Sequence, residues 1–373
     1  MSTAAPAQPP VTISNRDRTI NLLTQIWSWL FLIGLIAFFS FAGEGFFSIR
    51  NFGNILVSGT LIILMALGQT FVIITGGIDL SIGWTVGLSS VVTARVMRDL
   101  SDGGVEVIPA ILIGVVFGLL VALIPGIVNG ILIARIRIPP FIATLGMFGI
   151  VRGAAFLLTD GQNVIGNIDS SVRDVLRLVG NGSLLYNIPD FGIAWLSQPP
   201  DLTREQLRAL QRLAPYPVLI VAVIIVIMAF VLARTQFGRH TYAIGGNAEA
   251  ARRAGINVSR HLITIYIISA LMAGIAGVLH VFRFTAGAPQ AGESALLDSV
   301  AAVVIGGTSL FGGEGRISGS VVGALIIAVL GTGLVILNID ALWQFVIVGC
   351  IIIVAVLVNQ VQSYLENRQA HHE

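Results

Sequence analysis

The chain has 373 residues, of which 55% are hydrophobic and only 11% charged, with a formal net charge of +2. Soluble domains carry roughly a quarter charged residues, which excludes that class and the two soluble domains that length alone would suggest. All 21 of its Lys-plus-Arg residues are arginine, which excludes a Schiff-base lysine and a Walker A loop, whose lysine holds the nucleotide phosphates; any ATP that drives this protein binds another polypeptide.

The first 24 residues, rich in Ala, Pro and Ser up to Thr19, read as a disordered tail. No short apolar stretch with a small-residue cleavage site precedes the first long span, so no removable signal peptide is expected. Uncharged runs such as Ile55–Thr75 and Ile317–Leu337 are long enough to cross a hydrocarbon core of roughly 30 Å at about 1.5 Å per residue. They must be helical, because lipid offers no partner for an open backbone amide. Hydropathy predicts about ten spans, over 25–44, 55–76, 80–97, 108–134, 139–159, 215–233, 262–282, 295–311, 317–337 and 342–361. The fold class is thus an all-α polytopic membrane protein, one domain over 25–361 with a second tail at 362–373. Pro125-Gly126 is expected to kink or break the fourth span. Cys350 lies in an apolar run as a small lipid- or helix-facing residue.

Arginine placement sets the orientation. With both termini cytoplasmic, the inside segments carry Arg16, Arg18, Arg135, Arg137, Arg234, Arg239, Arg252, Arg253, Arg260, Arg316 and Arg368. The short outside loops then hold Arg50, Arg98 and Arg283, with Arg95 at a span end, as the positive-inside rule requires. The long segment 160–214 falls outside, its arginines offset by acids, and Thr203 is the expected N-cap of a short helix within it.

No catalytic constellation appears. His240, His261 and His280 are scattered, His371-His372 sit in the tail, and there is no Cys/His metal spacing and no paired carboxylate inside a span. No metal and no nucleic-acid partner are expected, and the pattern points to a pathway. The most informative segment is the inside loop 234–261. Asn247 is a good N-cap, Glu249 stands in the first turn, Arg252 and Arg253 near the last, and Gly255 fits the left-handed position that ends a helix. So short a helix is unstable alone and needs something to dock on; a capped surface helix is the plainer reading.

Glu249-Ala250-Ala251 followed by Gly255 resembles the EAA-type coupling motif of ABC importer permeases. Further motifs resemble the ribose/xylose/arabinose-type permeases in that family's order. They are Thr75-Gly76-Gly77-Ile78-Asp79-Leu80-Ser81-Ile82-Gly83, Pro139-Pro140-Phe141-Ile142-Ala143-Thr144-Leu145-Gly146 with Arg152-Gly153, Phe237-Gly238-Arg239 with Ala243–Asn247, and Ile305–Gly313. The matches run from about residue 50 to 360 and leave out the tail and 160–214. The resemblance implies a permease homodimer in a bacterial inner membrane, with a periplasmic sugar-binding protein delivering a sugar from outside. It also implies a separate ATPase carrying ATP and Mg, docked on Asn247, Glu249, Ala250, Ala251 and Gly255. No cofactor is expected on this chain. A related permease for branched-chain amino acids or nucleosides is the alternative in the same class, and an ion-coupled secondary transporter the alternative outside it.

Pathway or gate candidates are Gln69, Asp79, Ser81, Asn129 and Arg152. A carboxylate near bilayer depth costs roughly 2.5–3.5 kcal/mol unless it is paired or wet. Asp79 therefore either caps the third span through Ser81 or a nearby amide, or contacts sugar in a glycine-broken span. Arg152 either snorkels outward or gates. Gln69 and Asn129 suit weak solute contacts or interhelical hydrogen bonds. Two related halves of opposite topology are implied by the resemblance; Gly76–Ser81 against Gly306–Leu310 is the short similarity that accompanies it.

Overall fold

A computed structural model describes residues 15–162, 168–188, 192–196, 202–340, 342–351 and 353–354. The helices are α1 Asn15–Ala42, α2 Ile49–Ile74, α3 Ile82–Asp102, α4 Val107–Ala134, α5 Pro140–Leu157, α6 Ser170–Asn181, α7 Arg204–Ala209, α8 Tyr216–Arg234, α9 Gln236–Gly246, α10 Ala248–Arg253, α11 Val258–Phe284, α12 Glu293–Ile305 and α13 Ile317–Ile336. A further apolar helix covers Leu342–Ile351. Six of them, α2, α4, α5, α8, α11 and α13, are long and apolar enough to cross a membrane. The tail 362–373 and the end of the predicted last span lie outside the described residues, and helix α1 begins at Asn15 rather than at residue 25.

The core is built around α2, which packs against α8, α11, α12 and α13. Its apolar side chains Leu64, Leu67, Phe71, Val72, Ile73 and Ile74 are fully buried. Helix α11 runs antiparallel to it, with Gly68 against Ser269 and Val57 beside Arg283. Small residues let the backbones touch. A Cβ on Gly126 would meet the Tyr266 carbonyl at 2.6 Å, and one on Gly130 the Ile263 Cα at 2.8 Å, while Gly114 and Gly118 of the same helix face Met97 and Thr93 of α3. This four-residue spacing is the small-residue seam by which membrane helices approach closely. Pro125 sits within α4, whose helix is continuous from Val107 to Ala134, so of the expected kink or break the break does not occur.

Two departures shape the site. The predicted span 295–311 is a helix of only 13 residues, α12. Before it, residues 285–292 run non-helically along α3, where Cβ atoms on Gly287 and Gly292 would strike the Ser90 and Gly83 carbonyls at 2.6 and 2.4 Å. Such backbone survives at this depth because protein covers it: the Ser90 hydroxyl donates to the Ala288 carbonyl at 2.9 Å and accepts from the Ala288 amide at 3.1 Å.

The second departure is in 160–214, where an antiparallel sheet of order β2-β1-β3 (β1 Leu185–Ile188, β2 Gly192–Trp195, β3 Gln211–Arg212) interrupts the all-helical pattern. Thr203 caps α7 as expected, in a capping box with Gln206. The segment is seated on the bundle at Gly180, whose Cβ would overlap the Phe282 carbonyl, and by Asn181 Nδ2 donating to the Arg283 carbonyl at 2.8 Å.

Candidate functional site

Helix α2 ends in a Schellman motif: Gly77 N–H reaches the Val72 carbonyl at 3.0 Å, Gly76 N–H reaches the Ile73 carbonyl at 2.8 Å, and Gly76 takes φ 78°. The chain then turns back into the protein, and Gln69 clasps the returning strand. Its Nε2 donates to the Asp79 carbonyl at 2.6 Å and its Oε1 accepts from the Asp79 amide at 3.3 Å. Residue 79 is thereby held roughly 7 Å inside the end of α2, at about 1.5 Å per residue.

The Asp79 carboxylate is 2% exposed, and no arginine or histidine pairs with it among the described residues. Hydrogen bonds take the place of a cation. Oδ1 accepts from the Ser81 amide at 3.0 Å and the Ser81 hydroxyl at 2.6 Å, and Oδ2 accepts from the Ser269 hydroxyl at 2.8 Å. Ser81 Oγ in turn accepts from Asn129 Nδ2 at 2.9 Å. Thr144 Oγ1 donates to the Ile78 carbonyl at 3.0 Å. Side chains from α2, α4, α5 and α11 therefore meet on one turn that starts α3. The structure brings Gln69, Asp79, Ser81 and Asn129 together, as hydrogen-bonding residues between helices.

Ser269 and Thr144 were not singled out by sequence, and a lone Ser or Thr in an apolar helix gives no signal of its partner. Tyr266 OH and Asn129 Oδ1 lie buried without a partner among the described residues, and a Cβ on Gly77 would come within 2.6 Å of that phenol. Arg152 stands apart from this group: exposed, five residues before the end of α5, its guanidinium lies 5.0 Å over the Trp84 ring. An aromatic face thus lies beneath the cation.

The loop 234–261 forms two helices. Asn247 Oδ1 accepts from the Ala250 amide at 2.9 Å and starts α10. Gly255, at φ 86°, ends it in a Schellman motif with Ile256 N–H on the Ala251 carbonyl at 3.1 Å and Gly255 N–H on the Arg252 carbonyl at 3.0 Å. Ala251 is its only buried side chain, packed with Ile244 and Val258. Ala248, Glu249, Ala250, Arg252 and Arg253 all face outward, with Glu249 and Arg253 in an exposed pair at 3.3 Å.

Helix α9 joins this exposed helix to the core. Its Gly245 is wedged so tightly that a Cβ would lie 1.8 Å from the Ile74 carbonyl and 2.5 Å from the Gly313 amide, and that amide donates to the same carbonyl at 2.8 Å. Tyr242 Oη donates to the Gly315 carbonyl at 2.7 Å, and burial pushes its phenol pKa above the ordinary value. Thr241 Oγ1 and His261 Nε2 are 2.9 Å apart. The loop that meets Gly245 follows α12, which also closes in a Schellman motif, with Thr308 N–H on the Val303 carbonyl and Gly307 at φ 86°. The two similar glycine turns thus align at Gly76 and Gly307, one position off the Gly76–Gly306 match. They end parallel helices on one side of the molecule, so their similarity is not that of an inverted pair.

A polytopic helical bundle with a half-length helix, a hydrogen-bonded turn folded back into it and an exposed capped helix fits the class of multi-pass membrane permeases. The chain belongs to the family described as "Branched-chain amino acid transport system / permease component", which matches residues 51–356. It is 34% identical to the ribose import permease protein of Escherichia coli strain K12, over 93% of this chain and 98% of the relative. It is 35% identical to the xylose transport system permease protein of Haemophilus influenzae, over 92% and 97%, and 35% identical to the fructose import permease protein of Rhizobium meliloti, over 88% and 83%. No solved structure matches it.

Proposed function

We propose that this chain is the membrane-spanning permease subunit of an ATP-driven sugar importer in a bacterial inner membrane, with both termini cytoplasmic. Relatives across nearly the whole chain are named as ribose, xylose and fructose permeases, which favours a sugar over a branched-chain amino acid. The observation that carries the mechanism is the exposed, doubly capped helix α10 and its rigid link through Gly245 to the ends of α2 and α12. A separate ATPase subunit, carrying ATP and Mg, docks on Asn247–Gly255. Its closure pushes α10, and α9 passes the push by backbone contact to Ile74 and Gly313, where no flexible side chain absorbs it. The Asp79 turn, fastened to four other helices, then moves as a unit with α3. A periplasmic binding protein delivers sugar on the opposite side, and two copies of this chain flank the path.

The test is uptake of labelled ribose, xylose, fructose, leucine and a nucleoside in cells with and without the gene. Selective loss of a sugar supports the proposal, and loss of leucine or the nucleoside alone replaces it with the related permease. Glu249→Arg and Gly255→Val are expected to abolish uptake while the protein still inserts. Normal uptake in both removes the coupling role.

A further inference from the structure

A cavity of about 230 Å³ opens near the end of the molecule opposite α10, between α2, α8 and α11. Ser58, Thr60, His280, Arg283 and Phe284 line it, and Ala291 of the non-helical segment 285–292 forms a further wall. Its surface is mostly apolar, with a few polar groups placed among apolar walls, the usual composition of a small-molecule site.

Those polar groups are under-used. A guanidinium offers five N–H donors. Arg283 spends them on a Val57 carbonyl at 3.3 Å and the Ser58 hydroxyl at 3.5 Å, both long, and no carboxylate lies within ion-pair distance among the described residues. Thr60 Oγ1 donates to the Val57 carbonyl at 2.7 Å, which leaves its lone pairs free to accept. The His280 ring rests on Phe284 with centroids 4.6 Å apart, and its nitrogens bond to none of the described residues. The broken stretch of backbone beside them is the feature that lines solute sites in membrane transporters.

We infer that this cavity is the outward-side site for a single neutral, polyhydroxylated ring, held by hydroxyl bonds to Arg283, His280, Ser58 and Thr60 and by contact with Phe284. It deepens the import reading and rests on it. The groups are those such a solute needs: donors and acceptors in mixed order, an aromatic ring against which the Arg283 guanidinium (5.1 Å) and the His280 ring are steadied, no compensating pair of charges, and room for one ring. A phosphate-bearing lipid headgroup would also meet Arg283, and the test separates the two.

The experiment uses the complete transporter in cells and in nanodiscs. Wild-type uptake of ribose, xylose and fructose comes first; if none is imported, the import reading fails and this inference falls with it. With an imported sugar in hand, Ser58→Cys is made in a Cys350→Ala background, because Cys350 is the only native cysteine and is exposed. That sugar, at about ten times its Kd, is expected to slow maleimide labelling of the new thiol ~10-fold. Leu56→Cys, also exposed and outside the cavity, keeps its rate. Ser58→Trp fills the cavity and is expected to stop uptake at normal membrane abundance, while Leu56→Trp does not. Equal labelling with and without the imported sugar overturns the site. Labelling slowed by anionic lipid and indifferent to sugar overturns it in favour of a headgroup.

Discussion

The turn at 75–81 and the helix at 248–253 are both short, and each has a left-handed glycine at one end, Gly76 and Gly255. Helix α9 lies between them, abutting Ile74 at the end of α2 and leading into α10. The two are nonetheless stabilised in opposite ways. Helix α10 is closed by its own sequence. Asn247 satisfies one orphan amide at its start, Gly255 lets two carbonyls be used at its end, and one alanine packs inward. The Asp79 turn closes only its glycine end and the Ser81 contact by itself; its peptide groups at 78 and 79 are answered by Thr144 and Gln69, its second carboxylate oxygen by Ser269, and the Ser81 hydroxyl by Asn129, from four other helices. A buried polar group without a partner costs far more than an exposed one. The inner turn must therefore recruit partners across the bundle, whereas water completes the outer helix. The first arrangement gives rigidity. The second gives a surface on which another protein can act.

Asp79→Ala breaks this contrast most severely. It strands the Ser81 amide and hydroxyl and the Ser269 hydroxyl inside the protein, with an expected loss on the order of 3 kcal/mol or more. Folded yield after detergent extraction should fall sharply, while the sugar preference of any surviving transporter is unchanged. Full yield with an altered preference would make Asp79 a solute contact instead. Gly245→Ala tests the link between the two regions. A methyl there collides with the Ile74 carbonyl, while Gly246 has nothing within 4 Å of its Cβ position. Uptake is expected to be lost in the first variant and kept in the second, both at wild-type abundance, with ATP hydrolysis by the assembled complex no longer tied to sugar. Equal uptake in the two would mean the wedge transmits nothing. The smallest effect is Asn247→Ala, which removes one cap worth about 1 kcal/mol. Partial uptake is expected, and Asn247→Ser should restore it by supplying the same acceptor.

Much of this was legible beforehand, and the reason differs from place to place. Thr203, and Asn247 and Gly255, were readable because helix caps are local: donor, acceptor and backbone conformation lie within a few residues of one another. The long spans were readable because lipid imposes one rule on every exposed peptide group. The stretch 285–311 was not, because its hydropathy does not distinguish a crossing helix from a covered strand followed by a short helix. What distinguishes them is Ser90 and the glycines of α3, nearly two hundred residues away in the chain. The choice between capping and solute contact for Asp79 stood open for the same reason: Ser81 was nearby in sequence, but Ser269 was not.

The sequence by itself determined a helical membrane protein with no lysine for a Walker A loop, the caps of the short helices, and a family resemblance carried by motifs in order. Those properties depend on composition and on contacts a few residues apart. Only the tertiary structure decided that the Asp79 carboxylate is held by hydroxyls rather than a cation, that α12 is half a span, and that Gly245 abuts Ile74 and Gly313. Each of these turns on which distant backbones approach within hydrogen-bond or van der Waals distance, and the packing of the whole bundle sets that.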